Sequence, residues 1–101
     1  MFNLHEKSVL ITGAGGGIGA AMAQICAARG ANVALHYHQN ATDAQKLQQE
    51  ISSLGRTSQC FQADLSEAAQ IKVLWSEAES TFGGIDILIN NAGILHESLL
   101  A

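Results

Sequence analysis

The residues best suited to chemistry form a glycine-rich turn at positions 12–19, which reads TGAGGGIG. It follows the apolar run 8–11 and precedes a segment with helical spacing of apolar residues. Glycines let backbone N–H groups approach a ligand closely, and the first turn of a helix offers unpaired N–H donors and partial positive charge. The turn therefore predicts a phosphate site, and the pyrophosphate of a dinucleotide suits it.

The glycines follow the pattern TGxxxGxG rather than GxGxxG, because Ile18 stands where the second pattern requires its third glycine. In this register Gly13 begins the turn out of the strand and Gly17 lets the backbone pass close to a pyrophosphate. Gly19 lets the following helix pack tightly on the sheet. A flexible connection between a strand and a helix is the alternative for such a turn taken alone.

A second motif, DILINNAG at residues 86–93, is an apolar strand that ends in polar and then small residues. We expect Asn90 to satisfy neighbouring backbone groups at the edge of the sheet. Asn91 is expected near a bound cofactor, where Ala92 and Gly93 leave room for it.

A third element, Asp64 followed by Leu65, comes just after another apolar run. The Asp64 carboxylate can accept a hydrogen bond from the amino group of an adenine. The alternative is a local role, as a turn residue or a helix N-terminal partner near Ser66.

The elements that position these motifs alternate along the chain. Apolar runs rich in β-branched residues lie at 7–12, 32–37, 57–63 and 86–90, with a helix-length segment between each pair. This predicts an α/β fold of order βαβαβαβ, the N-terminal half of a doubly wound Rossmann-type parallel sheet. We expect the strand order 3-2-1-4, helices on both faces, and a ligand crevice where strands 1 and 4 diverge.

Helical spacing also predicts which side chains face the sheet. Thr42 with Gln45 three residues later predicts a capping box at the start of the second helix. Glycines are expected to end the three helices, at Gly30, at Gly55 and at residues 83–84. The predicted inner positions are Ile18, Met22, Ile25, Cys26 and Arg29 in the first helix, Ala44, Leu47, Ile51 and Leu54 in the second, and Ile71, Trp75, Ala78 and Phe82 in the third.

Composition excludes several classes of function. The 101 residues, with a formal net charge of −4 and five scattered basic residues, predict one domain that does not bind nucleic acid. Cys26 and Cys60 have no CxxC spacing and are expected to be buried free thiols. No apolar run approaches the roughly 20 residues of a membrane span, and neither His5 nor His96 has metal-ligand partners. We expect a cytoplasmic protein without a membrane segment or metal site.

Together, in this order and spacing, TGAGGGIG, Asp64-Leu65 and NNAG closely resemble the short-chain dehydrogenase/reductase family, over the entire chain. The stretch NNAGILHESLL is most similar to the 3-oxoacyl-acyl-carrier-protein reductase branch. The resemblance implies a Rossmann fold that binds NAD(H) or NADP(H), hydride transfer between the nicotinamide and a carbonyl or alcohol substrate, and homo-oligomers. By position it implies that pyrophosphate and adenosine ribose contact Gly13, Ala14, Gly15, Gly16, Gly17, Ile18 and Gly19, that adenine contacts Asp64 and Leu65, and that the ribose side contacts Asn91, Ala92 and Gly93.

The choice of cofactor depends on the end of the second strand. A carboxylate there would bind the ribose 2′-OH and select NAD, but Tyr37 occupies the position. We therefore expect Tyr37 to border the cofactor and NADP to be favoured over NAD, with His36 or His38 adding positive charge or simply lying exposed to water. Gly16 stands where NADP-dependent relatives often carry Arg or Lys, which leaves NAD open.

The family's catalytic YxxxK motif is absent from these 101 residues. Tyr37 is the single tyrosine and Ala41 stands four residues later, while Ser98 comes too early to match the family's serine. The sequence thus predicts a truncated Rossmann domain at 1–101, without catalytic residues and inactive alone, whose fourth strand is an unprotected edge. The alternative hypothesis is a non-catalytic nucleotide-binding or self-associating module.

Overall fold

A computed structural model describes residues 3–92 of the chain. Strands and helices alternate in the predicted order, and each strand boundary lies within one residue of its predicted position. The elements are β1 (Ser8–Thr12), α1 (Gly17–Ala28), β2 (Asn32–Tyr37), α2 (Ala41–Ser53), β3 (Ser58–Gln62), α3 (Ala68–Phe82) and β4 (Ile87–Asn90).

The four strands form one parallel sheet in the order β3-β2-β1-β4, which confirms the predicted topology. Thr12 pairs with Asn90 and Tyr37 with Gln62, so the carboxyl ends of all four strands meet at one edge. The connections after β1, β2 and β3 and the residues after β4 therefore all lie at this edge. In open parallel sheets, ligands bind at this edge.

Helices cover both faces of the sheet, as predicted. Alternation along β1 sends Val9 and Ile11 into a cluster under α1 and α2, and Leu10 into a second cluster under α3. The strands β1 and β2 are buried on both faces, which accounts for their nearly continuous apolar sequences.

The predicted inner face of α1 is wrong in two positions. Ile18 and Ile25 are 71% and 51% exposed, and Met22 is only partly buried. The buried residues of α1 are instead small: Gly19, Ala23, Cys26 and Ala27. Of these four, only Cys26 was among the predicted inner positions. Small residues let the helix axis approach the sheet closely. The prediction followed the spacing of large apolar side chains, and it therefore identified the stripe of the helix next to the one that is buried.

The second helix departs from its prediction at both ends. Its N-cap is Asn40, without a side-chain hydrogen bond, and Thr42 already lies inside the helix, so the predicted capping box is wrong. Ala44, Leu47 and Ile51 are buried as predicted. Leu54 is the C-cap and 54% exposed, because the helix ends before this position could turn inward.

The third helix follows its prediction closely. Ile71 and Ala78 are buried, and the partly buried Trp75 and Phe82 pack against the same cluster. Leu74 is also buried and was not predicted. Glycines with positive φ follow or end the helices as expected, at Gly30, Gly55 and Gly83.

Both cysteines are free thiols, Cys26 buried and Cys60 partly buried. Burial raises the pKa of each thiol, so both stay protonated near neutral pH. In the described part of the chain, no helix is long and apolar enough to cross a membrane. Residues 3–92 also contain no group of three or more His, Cys, Asp or Glu side chains arranged to hold a metal ion.

Candidate functional site

The glycine turn carries the chain from the end of β1 into α1. The N–H of Ala20 donates to the carbonyl of Gly16 at 3.4 Å. The N–H groups of Gly17, Ile18 and Gly19 precede this bond and have no acceptor within the helix. Because α1 has neither a side-chain cap nor an acidic residue in its first turn, its N-terminus offers donors and partial positive charge to an anion.

The glycines of the turn have different steric roles. A Cβ at Gly19 would collide with the carbonyl oxygen of Gly13, so the helix lies closer to the turn there than any other residue permits. Gly13 and Gly17 have φ values of 68° and 58°, which favour glycine. A Cβ on Gly16 or Gly17 would meet nothing within 4 Å. The backbone is therefore open at these two positions, where a ligand can approach.

Ala14 and Gly15 pack the turn against β2 and the connection that follows it. The N–H of Ala14 donates to the carbonyl of His36 at 2.8 Å, and the Ala14 side chain is buried. A Cβ on Gly15 would lie 2.8 Å from the Cβ of Asn40. Ala14, whose N–H is engaged within the protein, anchors the turn and has no donor left for a ligand.

The end of β4 holds the turn from the other side. The amide nitrogen of Asn91 donates to the carbonyl of Gly13 at 3.1 Å. The Thr12 hydroxyl donates to Oδ1 of Asn90 at 2.9 Å and accepts from the N–H of Ala92 at 3.1 Å. Both asparagines thus bond to β1 and its turn. The predicted cofactor residue Gly93 lies outside the described residues.

His36 does not have either of its predicted roles. Its ring is buried, with 2% exposed, and its Nδ1 accepts the N–H of Gly13 at 3.0 Å while Nε2 lies 2.9 Å from the carbonyl of Ala63. Burial lowers the pKa of the imidazole, and the nearby His38 lowers it further, against the opposing effect of the Ala63 carbonyl. The ring is therefore neutral, and it neither faces water nor adds positive charge. One sequence signal was available, since a polar residue in a strand buried on both faces needs partners.

Asp64 has the local role that the sequence left open as the alternative to adenine binding, as a turn residue near Ser66. Its Oδ1 accepts hydrogen bonds from the backbone N–H of Ser66 at 2.9 Å and from the Ser66 hydroxyl at 2.7 Å. These two bonds hold the pKa of the carboxyl below its usual value, and His38 adds a smaller effect. Oδ2 lies 3.9 Å from Nε2 of His38 and keeps its acceptor capacity. The carboxylate can therefore stabilise its own turn and still accept a further donor.

Comparison with known proteins assigns the chain to a family. The model of the family described as short chain dehydrogenase matches residues 7–100. The chain belongs to the short-chain dehydrogenase family. It is similar to nodulation protein G of a Rhizobium species, with 42% identity over 99 residues that cover 98% of this chain and 39% of that protein. It is 40% identical over 94 residues to the 3-oxoacyl-acyl-carrier-protein reductase FabG of Staphylococcus aureus, covering 93% of this chain and 38% of the reductase.

Solved structures agree with this family assignment. A short-chain dehydrogenase of Burkholderia cenocepacia, crystallised with NADP, matches with a TM-score of 0.88 and 41% identity, over 94% of this chain and 39% of that one. A blue fluorescent protein from a metagenomic library, solved with NADPH, matches with a TM-score of 0.87 and 38% identity, over 92% of this chain and 38% of that one. The chain thus spans about two-fifths of the length of the relatives it matches.

Two adjoining cavities open at the edge where this short-chain dehydrogenase chain presents its glycine turn. The first, about 330 Å³, is lined by three glycines of the turn, residues 36–40 and Ala92. The second, about 220 Å³, is lined by residues 64–66 with His36, His38 and Ala92. The two cavities share three lining residues and therefore adjoin; together they are called the groove, which extends from the start of α1 to the end of β3. Tyr37 lines the first cavity and Leu65 lines the second.

The first cavity contains no carboxylate among its described lining residues, and its polar side chains come from β2 and the turn after it. Gln39 and Asn40 are part of this lining and were missed by sequence reasoning. The signal that could have found them is topological, because the turn after β2 reaches the same edge as the turn after β1. A further cleft of about 230 Å³ borders the outer side of Gly15 and Gly16, where Lys46 accompanies two acidic residues.

A larger cavity, about 720 Å³, lies at the opposite edge of the sheet, beside the C-terminal ends of α1 and α2. Arg56 there donates through Nε to the carbonyl of Gly55 and through Nη1 to that of Gly30, both at 3.0 Å. Basic side chains at helix C-termini stabilise the last carbonyls and the negative end of the helix dipole. Arg56 thus links the connection after α2 to the connection after α1.

Proposed function

We propose that this chain holds the adenosine-diphosphate half of NADP(H) in a short-chain oxidoreductase. The enzyme would transfer a hydride between the nicotinamide and a small carbonyl or alcohol substrate. The observation that carries the proposal is the uncapped N-terminus of α1, with its open glycines, at one end of a groove that runs to the end of β3. Phosphate needs such donors, and adenosine needs such a groove.

The groove offers residues for each part of this half of the cofactor. The N–H groups of Gly17, Ile18 and Gly19 would hold the pyrophosphate. The first cavity, which Tyr37 lines, would take the ribose with its 2′-phosphate. In the second cavity, Leu65 would support the adenine ring and Oδ2 of Asp64 would accept a hydrogen bond from its amino group. When bound, the cofactor supplies or accepts the hydride.

The lining of the first cavity favours NADP over NAD. A carboxylate at the end of β2 would bind the ribose 2′-hydroxyl and repel a 2′-phosphate, and Tyr37 stands there instead. His38 lies nearby with 49% of its side chain exposed, within reach of an anion in the groove. The NADP and NADPH complexes of the two solved relatives support the same choice.

Catalysis requires groups that the sequence of this chain does not contain, namely a tyrosine with a lysine four residues later. We therefore expect that the 101 residues alone show no ketone-dependent oxidation of NADPH. The absorbance of NADPH measures this. Turnover with any ketone would contradict this part of the proposal. The similarity to a 3-oxoacyl-acyl-carrier-protein reductase favours a carbonyl compound as the substrate of the complete site.

The binding proposal is tested by calorimetry with NADP⁺ and NAD⁺. Gly17→Ala and Gly55→Ala form a matched pair, because both glycines have positive φ and open space around the missing Cβ. Each substitution should cost about 1 kcal/mol of folding free energy through backbone strain. Only Gly17→Ala should weaken NADP⁺ binding, by about tenfold or more, because its methyl group lies where the pyrophosphate approaches.

Two results would overturn the proposal, and a third would overturn only its choice of NADP. The wild-type chain could fail to bind either dinucleotide. The two alanine variants could bind NADP⁺ equally well, which would remove the turn from the site. A clear preference for NAD⁺ would contradict only the argument from Tyr37, and the proposed place of the pyrophosphate would be unaffected.

A further inference from the structure

We propose that His36 is a positioning residue of the cofactor site, which ties the phosphate-binding turn to the adenine-binding turn through one rigid, neutral ring. The proposal rests on the proposed function, since it assigns His36 to that same site. His36 touches neither reacting atoms nor, in this proposal, the phosphates. It acts through Gly13 and Ala63.

The ring joins two separate connections of the fold. Gly13, whose N–H donates to Nδ1, begins the turn after β1, and Ala63, whose carbonyl lies 2.9 Å from Nε2, begins the turn after β3. These turns supply the opposite ends of the groove. His36 also lines both of its cavities. A single side chain therefore links the turn before α1 to the turn that carries Asp64.

The chemistry of the two contacts determines the tautomer. Nε2 faces a carbonyl oxygen and must carry the hydrogen, while Nδ1 faces an N–H and must be unprotonated. A protonated ring would direct a second N–H at the N–H of Gly13. The contacts therefore require the neutral Nε2–H form, which no other side chain reproduces on both sides at once.

Gly13 is held from two sides. His36 accepts from its N–H, and Asn91 donates to its carbonyl at 3.1 Å. Its φ of 68° sets the direction in which the chain leaves β1. Since Gly19 packs directly on the Gly13 carbonyl, the orientation of this residue is passed to the first turn of α1. A change at Nδ1 should therefore alter the phosphate donors without any direct contact with the ligand.

Two variants separate the two contacts. In His36→Asn the side-chain oxygen takes the place of Nδ1 and keeps the acceptor for Gly13, but the donor to Ala63 is lost. In His36→Gln the amide reaches the place of Nε2 and keeps the donor to Ala63, but the acceptor for Gly13 is lost. Both variants lose one buried hydrogen bond, so a purely structural role predicts similar losses of stability and equal effects on binding.

We expect His36→Asn to bind NADP⁺ and adenosine 2′,5′-bisphosphate within about threefold of wild type, and His36→Gln to lose at least tenfold, with urea unfolding showing similar stability. Equal binding by both variants would overturn the positioning role. Failure of the wild-type chain to bind either probe would overturn the proposed function, and this inference with it.

A measurement on the wild-type chain keeps the test independent of how the variants fold. Long-range ¹H–¹⁵N NMR spectra distinguish the two neutral tautomers and the protonated ring of a histidine. At neutral pH, His36 should give the Nε2–H signature both free and with NADP⁺ bound. A protonated ring or the Nδ1–H tautomer in either state would overturn the proposal.

Discussion

Two turns at the same edge of the sheet are held in opposite ways. The turn after β1 has almost no side chains of its own, and groups on β2 and after β4 hold it: the ring of His36 and the amide of Asn91, both on Gly13. The turn after β3 is bonded to β2 at its first residue, Ala63, and is otherwise held by residues close to it in sequence. The Asp64 carboxylate accepts from Ser66, and the N–H of Asp64 donates to the side chain of Gln70. The first turn is therefore held mainly by residues distant along the chain, and the second mainly by residues within or next to it.

The start of the helix that follows the first turn also differs from the starts of the other two helices. α2 has Asp43 in its first turn and α3 has Glu67 at its N-cap, so a carboxylate already lies at the start of each. α1 has Gly16 at its N-cap and no acidic residue in its first turn. Of these three helix starts, α1 alone leaves its partial positive charge for an external anion. Because His36 and Asn91 hold the first turn through Gly13, the side of the turn at Gly16 and Gly17 needs no side chains of its own.

The largest effect should come from Gly19, where the first turn meets its helix. In Gly19→Ala the new Cβ collides with the Gly13 carbonyl oxygen, which belongs to the backbone and cannot move aside. We expect a loss of about 3 kcal/mol of unfolding free energy in urea titrations. Gly16→Ala is the control, with no neighbour within 4 Å and an extended backbone, and should stay within about 0.5 kcal/mol of wild type. Similar losses in both variants would show that the tight contact is not what holds the turn.

The next effect separates the two turns directly. Asn91→Ala leaves the part-buried carbonyl of Gly13 without its side-chain donor, and we expect a loss of about 2 kcal/mol of unfolding free energy. Asp64→Ala removes two hydrogen bonds from the exposed turn, where water replaces them, and should cost clearly less. Urea titration of both variants measures the difference. An equal or larger loss for Asp64→Ala would reverse the comparison.

The bare outer side of the first turn is tested by adding charge. The position of Gly16 accommodates a side chain without strain, so Gly16→Arg should raise the affinity for NADP⁺ about tenfold over wild type by contacting the 2′-phosphate. Gly16→Glu should lower it, and NAD⁺ affinity should change in the same direction but by less, because NAD⁺ has the pyrophosphate and lacks the 2′-phosphate. Calorimetry with the two dinucleotides provides the measurement. If NADP⁺ and NAD⁺ respond equally, the 2′-phosphate does not lie beside this turn.

The smallest effect is a difference in pH dependence between the turns. The folded-state pKa of His36 lies below 6.5, so the unfolded chain takes up protons first and stability falls as pH decreases below that value. The pKa of Asp64 is lowered from 3.8, so its contribution is present above 3.8 and is lost only as pH falls further. Urea titrations across pH, with His36→Asn and Asp64→Asn as references, should show the first turn weakening first. A His36→Asn variant with the pH slope of wild type below 6.5 would contradict this.

Much of the fold followed from sequence patterns. The apolar runs and helix-length segments predicted every described strand and helix and the strand order, because crossover handedness and chain length leave few alternatives. The buried face of α1 was predicted incorrectly at Ile18 and Ile25. Hydrophobic spacing marks large side chains, whereas this helix packs through Gly19, Ala23 and Ala27.

Candidate site residues were predictable where a motif implies a backbone geometry. The spacing of TGxxxGxG identified Gly17 as a position where a ligand can approach the backbone and Gly19 as a position where the helix packs tightly. A side chain would interfere at either position, so both favour glycine. It could not show that the N–H of Ala14 is engaged by β2, or that Gln39 and Asn40 line the cavity. Those contacts join residues that are distant along the chain.

The order of elements, the phosphate-binding turn and the family motifs are local properties, readable from residue types and short spacings. The state of His36 is not local. Its partners, Gly13 and Ala63, lie 23 and 27 residues away along the chain. Only the packing of β2 between β1 and β3 brings them to opposite sides of one ring. Burial among those strands then makes the imidazole neutral, so folding converts a predicted source of positive charge into a hydrogen-bonded link between two turns.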